Sequence, residues 1–565
     1  MVGMKFKRGL ILLVLLSVIS FSAFAKDPQR ILSNSEDWRD VYSVMLYSNL
    51  IGKHGSFLVS DKHATLILNS IPKENHIWAF SSKKIPQVMA YRNILESKGY
   101  SAEEFISDNL NLEIAKRLDK VKKFIIIDDS YGYNAISVAP YAVVTNSYVL
   151  FADKTSIKNV LAFLNERKAE KPIIYGNVDR EVKSALAKFN PETINKDGDR
   201  FLNNIEIVKK YQELRHSKQA VLTDGEFIEG EIMSGTEPVV FIGTNNVPDA
   251  IQQYVKGSEI DVGVLIGNEL VGTATFIRRQ MGISVFVKFA QGARNPQGAI
   301  SQVEALDMFY LPTYPLTLEI QSIKYNRATN KLEVTLKNAG LQAIYFIGTY
   351  GITAQDGTKL TVGDIGANFI DGNEAKTLTY DAENLPDGDL DIDVFIIYGE
   401  SKGSLEKEIR KTVKAQSVRV LDQCEIEVHD ISYSSSKQQF YATIENTGDV
   451  DCFVDLEIID FVVAGEKKTY TLENIAELAA GSKKSLRIKA EDIEEEDLPD
   501  NENVRLRAYY GEREDTLFKV KDLTLALVLK KFEIMSYALW IVIVLLLFLI
   551  IWKRRKKKKE EENEV

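Results

Sequence analysis

Short apolar stretches alternate with amphipathic segments from residue 26 to about residue 315. This alternation is typical of parallel sheets whose strands are connected by helices. The middle of the region is clearest, with strands predicted at 124–128, 148–153 and 172–176 and helices at 133–145 and 156–168. Strands are also predicted at 30–33, 56–60 and 76–80, with a helix at 40–51, and at 220–224, 238–243 and 261–267.

The first strands of these groups repeat with a period of roughly 95 residues, which indicates tandem domains rather than a solenoid. We therefore expect three α/β modules, with parallel sheets of the flavodoxin or Rossmann kind, at 26–120, 121–218 and 219–315.

From residue 316 the polar and apolar positions alternate with period two. The segment Lys331–Gly340 resembles Gln439–Gly448, which follows 108 residues later, and both end in Asn-x-Gly. Short alternating strands separated by Asn and Gly turns, in modules of this length, predict two immunoglobulin-like β-sandwiches, at 316–420 and 421–530.

The amino-terminal segment has the pattern of a secretory leader. Lys5, Lys7 and Arg8 precede an apolar run, and the small-residue site Ala23-Phe24-Ala25 follows it. This arrangement predicts a signal peptide over 1–25.

A second apolar segment, 534–552, carries no charge and is long enough to predict a transmembrane helix. The basic run from Lys553 to Lys559 predicts a cytoplasmic tail, 553–565. The predicted fold class is therefore multidomain, with three α/β modules, two immunoglobulin-like sandwiches and one transmembrane helix. The predicted localisation is the cell membrane, as a single-pass protein with its amino-terminal region extracellular and the lipid bilayer as a partner.

The predicted outer region is acidic, since 60 Lys and Arg face 76 Asp and Glu once the leader and tail are removed. This charge argues against nucleic acid as a partner. The chain has two cysteines, Cys424 and Cys452. An exported compartment permits a disulfide between them, and two buried thiols are the alternative.

Residue patterns typical of catalysis are missing from the sequence. The five histidines have no metal-ligand spacing, and no nucleophile elbow, Walker A loop or dinucleotide fingerprint follows a strand. We therefore predict a protein that is not an enzyme and has no cofactor, with calcium as the one cation to consider.

Two groups of carboxylates are candidates for ligand binding. One group lies on one face of a predicted strand and comprises Asp387, Asp389, Asp391 and Asp393. Calcium prefers such oxygen ligands, although a solvated outer face is the simpler interpretation. The other group follows strand ends, where open α/β sheets place ligands, and comprises Asp128, Asp129, Ser130 and Asp224. These residues are candidates to bind a sugar hydroxyl or a cation, and helix caps or turns are the alternative.

The second module resembles the cell-wall-binding repeat type 2 modules of prokaryotic surface and S-layer proteins. The resemblance rests on Ile127-Asp128-Asp129, the helix from Ala135 to Ala142, the strand from Leu150 to Asp153, Tyr175-Gly176, and Gly198-Asp199-Arg200-Phe201. Asp40-Val41-Tyr42 stands where the family has an Asp-Ala-Leu helix start. The Asn-x-Gly copies resemble adhesion-type sandwich repeats of archaeal and bacterial surface proteins.

These resemblances imply three modules in a pseudo-threefold ring that contacts wall polymer. The expected function is that of a membrane-anchored S-layer or envelope component, best suited to an archaeal envelope, that associates with itself, envelope polymer or coat proteins. One alternative is a surface receptor for a carbohydrate or small solute at the strand-end clefts of the α/β modules. Another is a degenerate surface hydrolase.

Overall fold

The computed structural model describes most of the chain between residues 27 and 530. The described residues are 27–196, 198–267, 270–288, 308–313, 315–514, 516–530, 550–551 and 553. The chain divides into two compact units. Unit 1 comprises Met1–Ile194, Asn204–Phe241 and Gly257–Thr313, and unit 2 comprises Asn195–Asn203, Ile242–Lys256 and Tyr314–Val565. Two short segments from the α/β half of the sequence therefore belong to unit 2.

The first sheet of unit 1 is parallel throughout. Its strands and the helices that follow them are, in chain order, β1 (Arg30–Asn34), α1 (Trp38–Leu50), β2 (His54–Phe57), α2 (Asp61–Asn69), β3 (His76–Ser82), α3 (Tyr91–Ser97), β4 (Ser101–Ser107) and α4 (Leu110–Arg117). The strand order is β2-β1-β3-β4. Ile31 and Leu32 of β1 are fully buried, as expected for a strand covered by helices on both faces. The side chain of Asp37 caps α1 by accepting a hydrogen bond from the Arg39 N–H.

The second sheet repeats this arrangement. Its elements are β5 (Lys123–Ile127), α5 (Tyr133–Val144), β6 (Ser147–Phe151), α6 (Ile157–Arg167), β7 (Glu170–Tyr175), α7 (Arg180–Leu186), a 3₁₀ turn (Ala187–Phe189), β8 (Glu192–Ile194) and α8 (Arg200–Leu214). The order is β6-β5-β7-β8, again parallel. The apolar run of β5 is almost wholly buried, with Ile125, Ile126 and Ile127 inaccessible to solvent.

The third sheet has the equivalent order, β11-β9-β12-β13. The elements of this part of the chain are β9 (Gln219–Thr223), β10 (Phe227–Ile228), α9 (Gly230–Met233), β11 (Val239–Phe241), α10 (Asp249–Gly257), β12 (Val262–Ile266), α11 (Val271–Gln280), β13 (Ser284–Lys288) and β14 (Phe309–Tyr310). Strands β10 and β14 form a separate antiparallel pair.

Unit 1 is organised around three equivalent helices. Helices α1, α5 and α9 each follow the first strand of a sheet, α9 after the short strand β10, and they pack against one another in pairs. The three parallel sheets therefore share a central helical contact, in which each module buries part of the apolar surface of the other two.

Unit 2 contains two β modules with the same succession of strands. The first, which we call β module 1, contains β15 (Leu318–Asn326), β16 (Lys331–Asn338), β17 (Ile344–Ala354), β18 (Lys359–Gly363), β19 (Asn368–Ile370), β20 (Ala375–Asp381), β21 (Leu390–Gly399) and β22 (Lys407–Val418). β module 2 contains β23 (Ile426–Ser434), β24 (Gln439–Asn446), β25 (Cys452–Val463), β26 (Glu466–Thr471), β27 (Ala476–Leu478), β28 (Lys483–Lys489), a 3₁₀ helix (Glu495–Asn501), β29 (Asn503–Gly511) and β30 (Lys519–Leu529).

Each β module is one curled eight-stranded sheet rather than two separate sheets. The orders are β18-β17-β21-β22-β15-β16-β20 and β26-β25-β29-β30-β23-β24-β28, with β19 and β27 paired to β17 and β25. The last strand joins the two halves, because β22 pairs antiparallel with β21 and then parallel with the end of β15. Strand β30 does the same between β29 and β23. The prediction of two-sheet sandwiches is corrected accordingly.

The repeated Asn-x-Gly sequence has a structural role in both β modules. Asn338 and Asn446 are completely buried. Asn338 donates to the carbonyl of Gln342 at 2.7 Å and accepts from the N–H of Gly340 at 2.9 Å. Asn446 makes the matching bonds, at 2.8 Å and 3.0 Å. Each asparagine hydrogen-bonds to buried backbone groups of the turn that follows its strand. Buried polar groups need such partners.

Within the described residues, no helix is long and apolar enough to cross a membrane. The longest described helix is α8, with 15 residues. Such a helix rises only about 22 Å, whereas the hydrocarbon core of a bilayer is about 30 Å thick. The predicted fold class, which includes a transmembrane helix, and the predicted single-pass localisation are wrong on this finding. The segments predicted as leader (1–25), membrane helix (534–552) and tail (553–565) lie outside the described residues, apart from positions 550, 551 and 553.

Candidate functional site

Asp128 and Ser130, predicted as ligand-binding residues, lie in the turn between β5 and α5. The carboxylate of Asp128 accepts hydrogen bonds from the side chain of Asn134 at 2.7 Å and from the N–H of Ser130 at 3.1 Å. Burial raises the pKa of Asp128, against the opposing effect of the Asn134 hydrogen bond. The Asn134 side chain in turn lies against Gly176, which has a positive φ of 73° and leaves no room there for a side chain. The Asp128 carboxylate therefore orders the turn itself.

Asp129 and Asp224, the other two candidates at strand ends, serve different turns. The carboxylate of Asp129 forms an ion pair with Arg39 of α1 at 2.6 Å, and Arg39 also pairs with Asp37 at 2.7 Å. Asp129 thus connects the first and second modules. Asp224 follows β9 and is buried, and its carboxylate accepts the N–H of Glu226 at 3.1 Å. Ligand binding by these residues stays a prediction.

Two buried asparagines that sequence patterns did not single out join consecutive modules of unit 1. The Asn111 side chain donates to Ser43 Oγ at 2.9 Å and the Val149 carbonyl at 2.9 Å, and it accepts the Phe151 N–H at 3.3 Å. Asn111 comes from α4, the helix between the first and second modules. It links the central helix of the earlier module to the second strand of the later one.

Asn204 of α8 makes the same set of bonds at the next junction. It donates to Ser137 Oγ at 2.8 Å and to the Val239 carbonyl at 3.0 Å, and it accepts the Phe241 N–H at 2.9 Å. We call Asn111 and Asn204 the junction asparagines. Their identical bonding shows that the two junctions are built in the same way, which a match at the roughly 95-residue period would have indicated.

Replacing Asn204 with alanine is expected to lower the free energy of unfolding of unit 1 by about 2–3 kcal/mol. The change leaves the Val239 carbonyl and the Phe241 N–H buried without this partner, and unsatisfied buried groups cost more than an average hydrogen bond contributes. Urea denaturation followed by circular dichroism measures the effect. Asn159→Ala, at an exposed position of α6, is the matched control, and an equal loss in both variants would contradict the prediction.

Asp40, in the Asp-Val-Tyr sequence at the start of α1, is a buried carboxyl that accepts a hydrogen bond from Ser35 Oγ at 2.8 Å. Burial raises the pKa of Asp40 to about 6, against the hydrogen bond from Ser35. The folded state therefore binds the proton more tightly than the unfolded state does. This contribution to stability is complete below about pH 4 and is lost as the pH rises to about 6.

We expect Asp40→Asn to remove this pH dependence. Between pH 4 and 6 the wild-type free energy of unfolding should fall by roughly 1–3 kcal/mol relative to the variant. Urea titrations at several pH values test this, with Asp61→Asn at an exposed site of α2 as control. Parallel pH profiles for Asp40→Asn and the wild type would refute the assignment.

The predicted aspartate face is only partly a strand face. The four residues are Asp387, Asp389, Asp391 and Asp393. Strand β21 begins at Leu390, so the first two lie before it. Asp387 pairs with Arg327 at 3.2 Å, Asp389 with Lys414 at 3.5 Å, and Asp393 accepts from Thr412 Oγ1 at 2.6 Å. In the part of the chain that the structure describes, no group of three or more His, Cys, Asp or Glu is arranged to hold a metal ion. Calcium binding stays a prediction.

The Gly198–Phe201 motif forms the amino terminus of α8 and belongs to unit 2. The Asp199 carboxylate caps the helix by accepting the N–H groups of Phe201 and Leu202, both at 2.9 Å. Its second oxygen accepts Ser401 Oγ at 2.9 Å, and a side chain at position 403 would collide with it, which explains Gly403. The turn after β21 is therefore shaped around Asp199.

Arg200 lies between two carboxylates in the interior of unit 2. Its Nε is 3.0 Å from Glu400 Oε1, and its Nη2 hydrogen-bonds to Glu406. Arg200 is 4% exposed and Glu406 is 2% exposed. Burial raises the pKa of Glu400, which Arg200 opposes and Glu406 reinforces. We call Arg200, Glu400 and Glu406 the buried ionic triad, and its chemistry is that of a structural ion pair.

A cleft of about 680 Å³ within unit 2 adjoins the Asp199 turn. One wall carries the aromatic side chains of Tyr345 and Phe369, whose ring centroids are 5.2 Å apart. The Tyr345 hydroxyl is 3.4 Å from Thr469 Oγ1, and Lys467 and Lys468 stand beside it. The rest of the lining is mostly polar and charged, and it includes Asp371, Lys402 and Asp460. Sequence patterns did not predict this cleft, because its walls come from distant segments.

No protein-family model matches this chain, and no curated protein matches it in sequence. Similar solved structures include Cwp8 from Clostridium difficile, with 18% identity over 46% of this chain and 48% of that chain and a TM-score of 0.36. The match thus spans about half the length of Cwp8.

Two further similar structures involve chaperones. The YadV chaperone has 13% identity over 37% of this chain and 99% of its own, with a TM-score of 0.13. The CsuC-CsuE chaperone-tip adhesion subunit complex from Acinetobacter baumannii has 11% identity over 38% and 99%, with a TM-score of 0.14. We draw no functional conclusion from TM-scores this low. The resemblance to cell-wall-binding repeat type 2 modules stays a prediction.

Proposed function

We propose that this protein is a non-enzymatic structural component of the cell surface that contacts envelope polymer or neighbouring coat proteins through its three α/β modules. The observation that carries the proposal is the use of polar groups at the module junctions of unit 1. The junction asparagines and the Arg39–Asp129 ion pair join each module to the next. Such construction suits a rigid array of modules that presents an extended surface.

The cysteines support an exported location. Cys424 and Cys452 are joined by a disulfide bond, and disulfides persist mainly in oxidising compartments outside the cytoplasm. The leader-like pattern of residues 1–25 agrees with export. Weak contacts between modules and a repeating polymer, or between copies of the chain, would add up through multivalency.

The proposal is tested with the purified full-length chain. Negative-stain electron microscopy, with and without calcium, should show periodic assemblies, or the chain should co-sediment with purified envelope polysaccharide. The Asn111→Ala/Asn204→Ala variant is the matched control, because it weakens the junctions of unit 1 and changes no residue of unit 2. Dispersed particles that do not bind polysaccharide under any condition would reject the proposal. Equal assembly by the variant and the wild type would show that the contact surface does not lie on the α/β modules.

The cleft beside Tyr345 favours a second candidate, a receptor for a carbohydrate or small solute. Aromatic rings pack against sugar faces, and the neighbouring hydroxyl and ammonium groups are suited to bind hydroxyls. Saturable binding of glycans in calorimetry, lost in Tyr345→Ala, would support this candidate. A hydrolase would need a carboxylate pair open to substrate. Glu400 lines the cleft but is paired with Arg200, and Glu406 is buried.

A further inference from the structure

A lysine of β module 1 and a glutamate of β module 2 meet inside unit 2. Lys376 lies on β20 and Glu457 on β25, 81 residues apart in the chain. The Lys376 Nζ is in direct contact with Glu457 Oε1. Their side chains are 6% and 1% exposed. An amine and a carboxyl group are thus held together away from bulk water.

The surroundings of this pair contain further acids. Glu374 and Asp455 line a cavity of about 380 Å³ together with Lys376. Burial raises the pKa of Glu374 to about 7, and it also raises the pKa of Asp455. Burial lowers the pKa of Lys376 to about 8, although Asp455 and Glu374 act in the opposite direction. Near neutral pH a fraction of Lys376 is therefore a neutral amine, and a fraction of Glu374 retains its proton.

The remaining partners of the pair fit an amide as well as they fit an ion pair. Lys376 Nζ also hydrogen-bonds to the Phe369 carbonyl, and an amide N–H would keep this bond. The hydroxyl of Tyr509 is 3.4 Å from Glu457 Oε2, which would become the amide oxygen. The Tyr509 ring lies against the ammonium, with its centroid 4.4 Å from Nζ.

We propose that Lys376 and Glu457 form an intramolecular isopeptide bond that joins the two β modules covalently. The neutral Nζ attacks Cδ of the protonated Glu457 carboxyl group. The Nζ–Cδ bond forms and the Cδ–Oε1 bond breaks. Oε1 leaves as water with one proton from the amine and the carboxyl proton, and nothing is oxidised or reduced. Glu374 and Asp455 relay the proton from the amine to the departing oxygen, and the adjoining cavity receives the water.

Physical chemistry favours the amide over the ion pair at this position. Two buried charges carry a desolvation cost that their mutual attraction does not reliably offset. Condensation removes both charges and leaves a neutral amide whose N–H and carbonyl have partners. The isopeptide bond would be a second covalent cross-link in unit 2, besides the disulfide. It would connect the two β modules, whereas the disulfide connects two parts of β module 2. This inference is independent of the proposed surface function.

Mass spectrometry of the reduced, denatured full-length chain tests the proposal. The wild-type mass should be lower by one water than expected from Lys376→Arg, once the substitution itself is taken into account. Comparison within one expression host removes any effect of amino-terminal processing. Proteolysis should yield a branched peptide that contains both Lys376 and Glu457.

A second variant distinguishes the chemistry. Glu457→Gln should lose ammonia instead of water and reach the same final mass as the wild type, because the product amide is identical. A wild-type mass equal to the full sequence-derived mass, with separate linear peptides for the two residues, would show an ion pair only and overturn the proposal. The wild-type result decides the matter even if a variant fails to fold.

Discussion

Replacing Arg200 with alanine is expected to lower the free energy of unfolding of unit 2 by about 3–5 kcal/mol. Arg200 is the buried cation of the ionic triad, and its removal leaves Glu406 in the interior without its cation, beside Glu400, whose pKa is raised by burial. Breaking a buried ion pair from one side is strongly destabilising because the remaining charge is uncompensated. Differential scanning calorimetry gives the loss, and hydrogen exchange at residues 399–408 shows whether it is local to the triad.

The same substitution at the surface is the control for Arg200→Ala. Arg92 pairs with Glu96 on α3, and its side chain is 55% exposed, so Arg92→Ala should change stability little. A triple variant, with Arg200→Ala, Glu400→Gln and Glu406→Gln, should recover part of the loss because no charge remains buried. Equal stability of the Arg200→Ala and Arg92→Ala variants would show that the triad contributes nothing to folding.

Removing the disulfide is expected to have the second large effect. The Cys424–Cys452 bond closes a loop with a sequence separation of 28 residues. In the chain-entropy treatment a loop of this length corresponds to about 3–4 kcal/mol of stabilisation. We therefore expect Cys424→Ser/Cys452→Ser to lower the free energy of unfolding of unit 2 by this amount.

Urea denaturation with and without dithiothreitol measures the contribution of the disulfide. The reductant should destabilise the wild type to the level of the double serine variant and leave the variant itself unchanged. If the reductant has no effect on the wild type under conditions in which its thiols become reactive, the disulfide does not stabilise the fold.

Local patterns predicted the strands of this chain well. The apolar runs at 124–128, 148–153 and 172–176 correspond to β5, β6 and β7 with shifts of one or two residues. The Asn-x-Gly copies are the ends of β16 and β24. These elements are readable because each strand is covered by helices or alternates between core and solvent. The short or partly exposed fourth strands, β4, β8 and β13, lack such a signal and were not predicted.

Local sequence patterns did not predict side-chain partners that are far apart in the chain. Arg200 could be recognised as part of a motif, but its partner Glu406 is 206 residues away. The junction asparagines have no unusual neighbours in sequence. Their role depends on backbone groups of the next module. The aspartate row was interpreted as one strand face, whereas β21 begins only at Leu390 and the first two carboxylates lie in the preceding turn.

The parallel pairing that curls each β module also determines how the module responds to a stretching force. In β module 1 the chain enters through β15 and leaves through β22, and in β module 2 it enters through β23 and leaves through β30. Because each of these pairs is parallel and adjacent, a pull on the two ends slides the strands past each other. The hydrogen bonds between them are then loaded together instead of opening one after another. Both modules are thereby suited to carry tension along the chain.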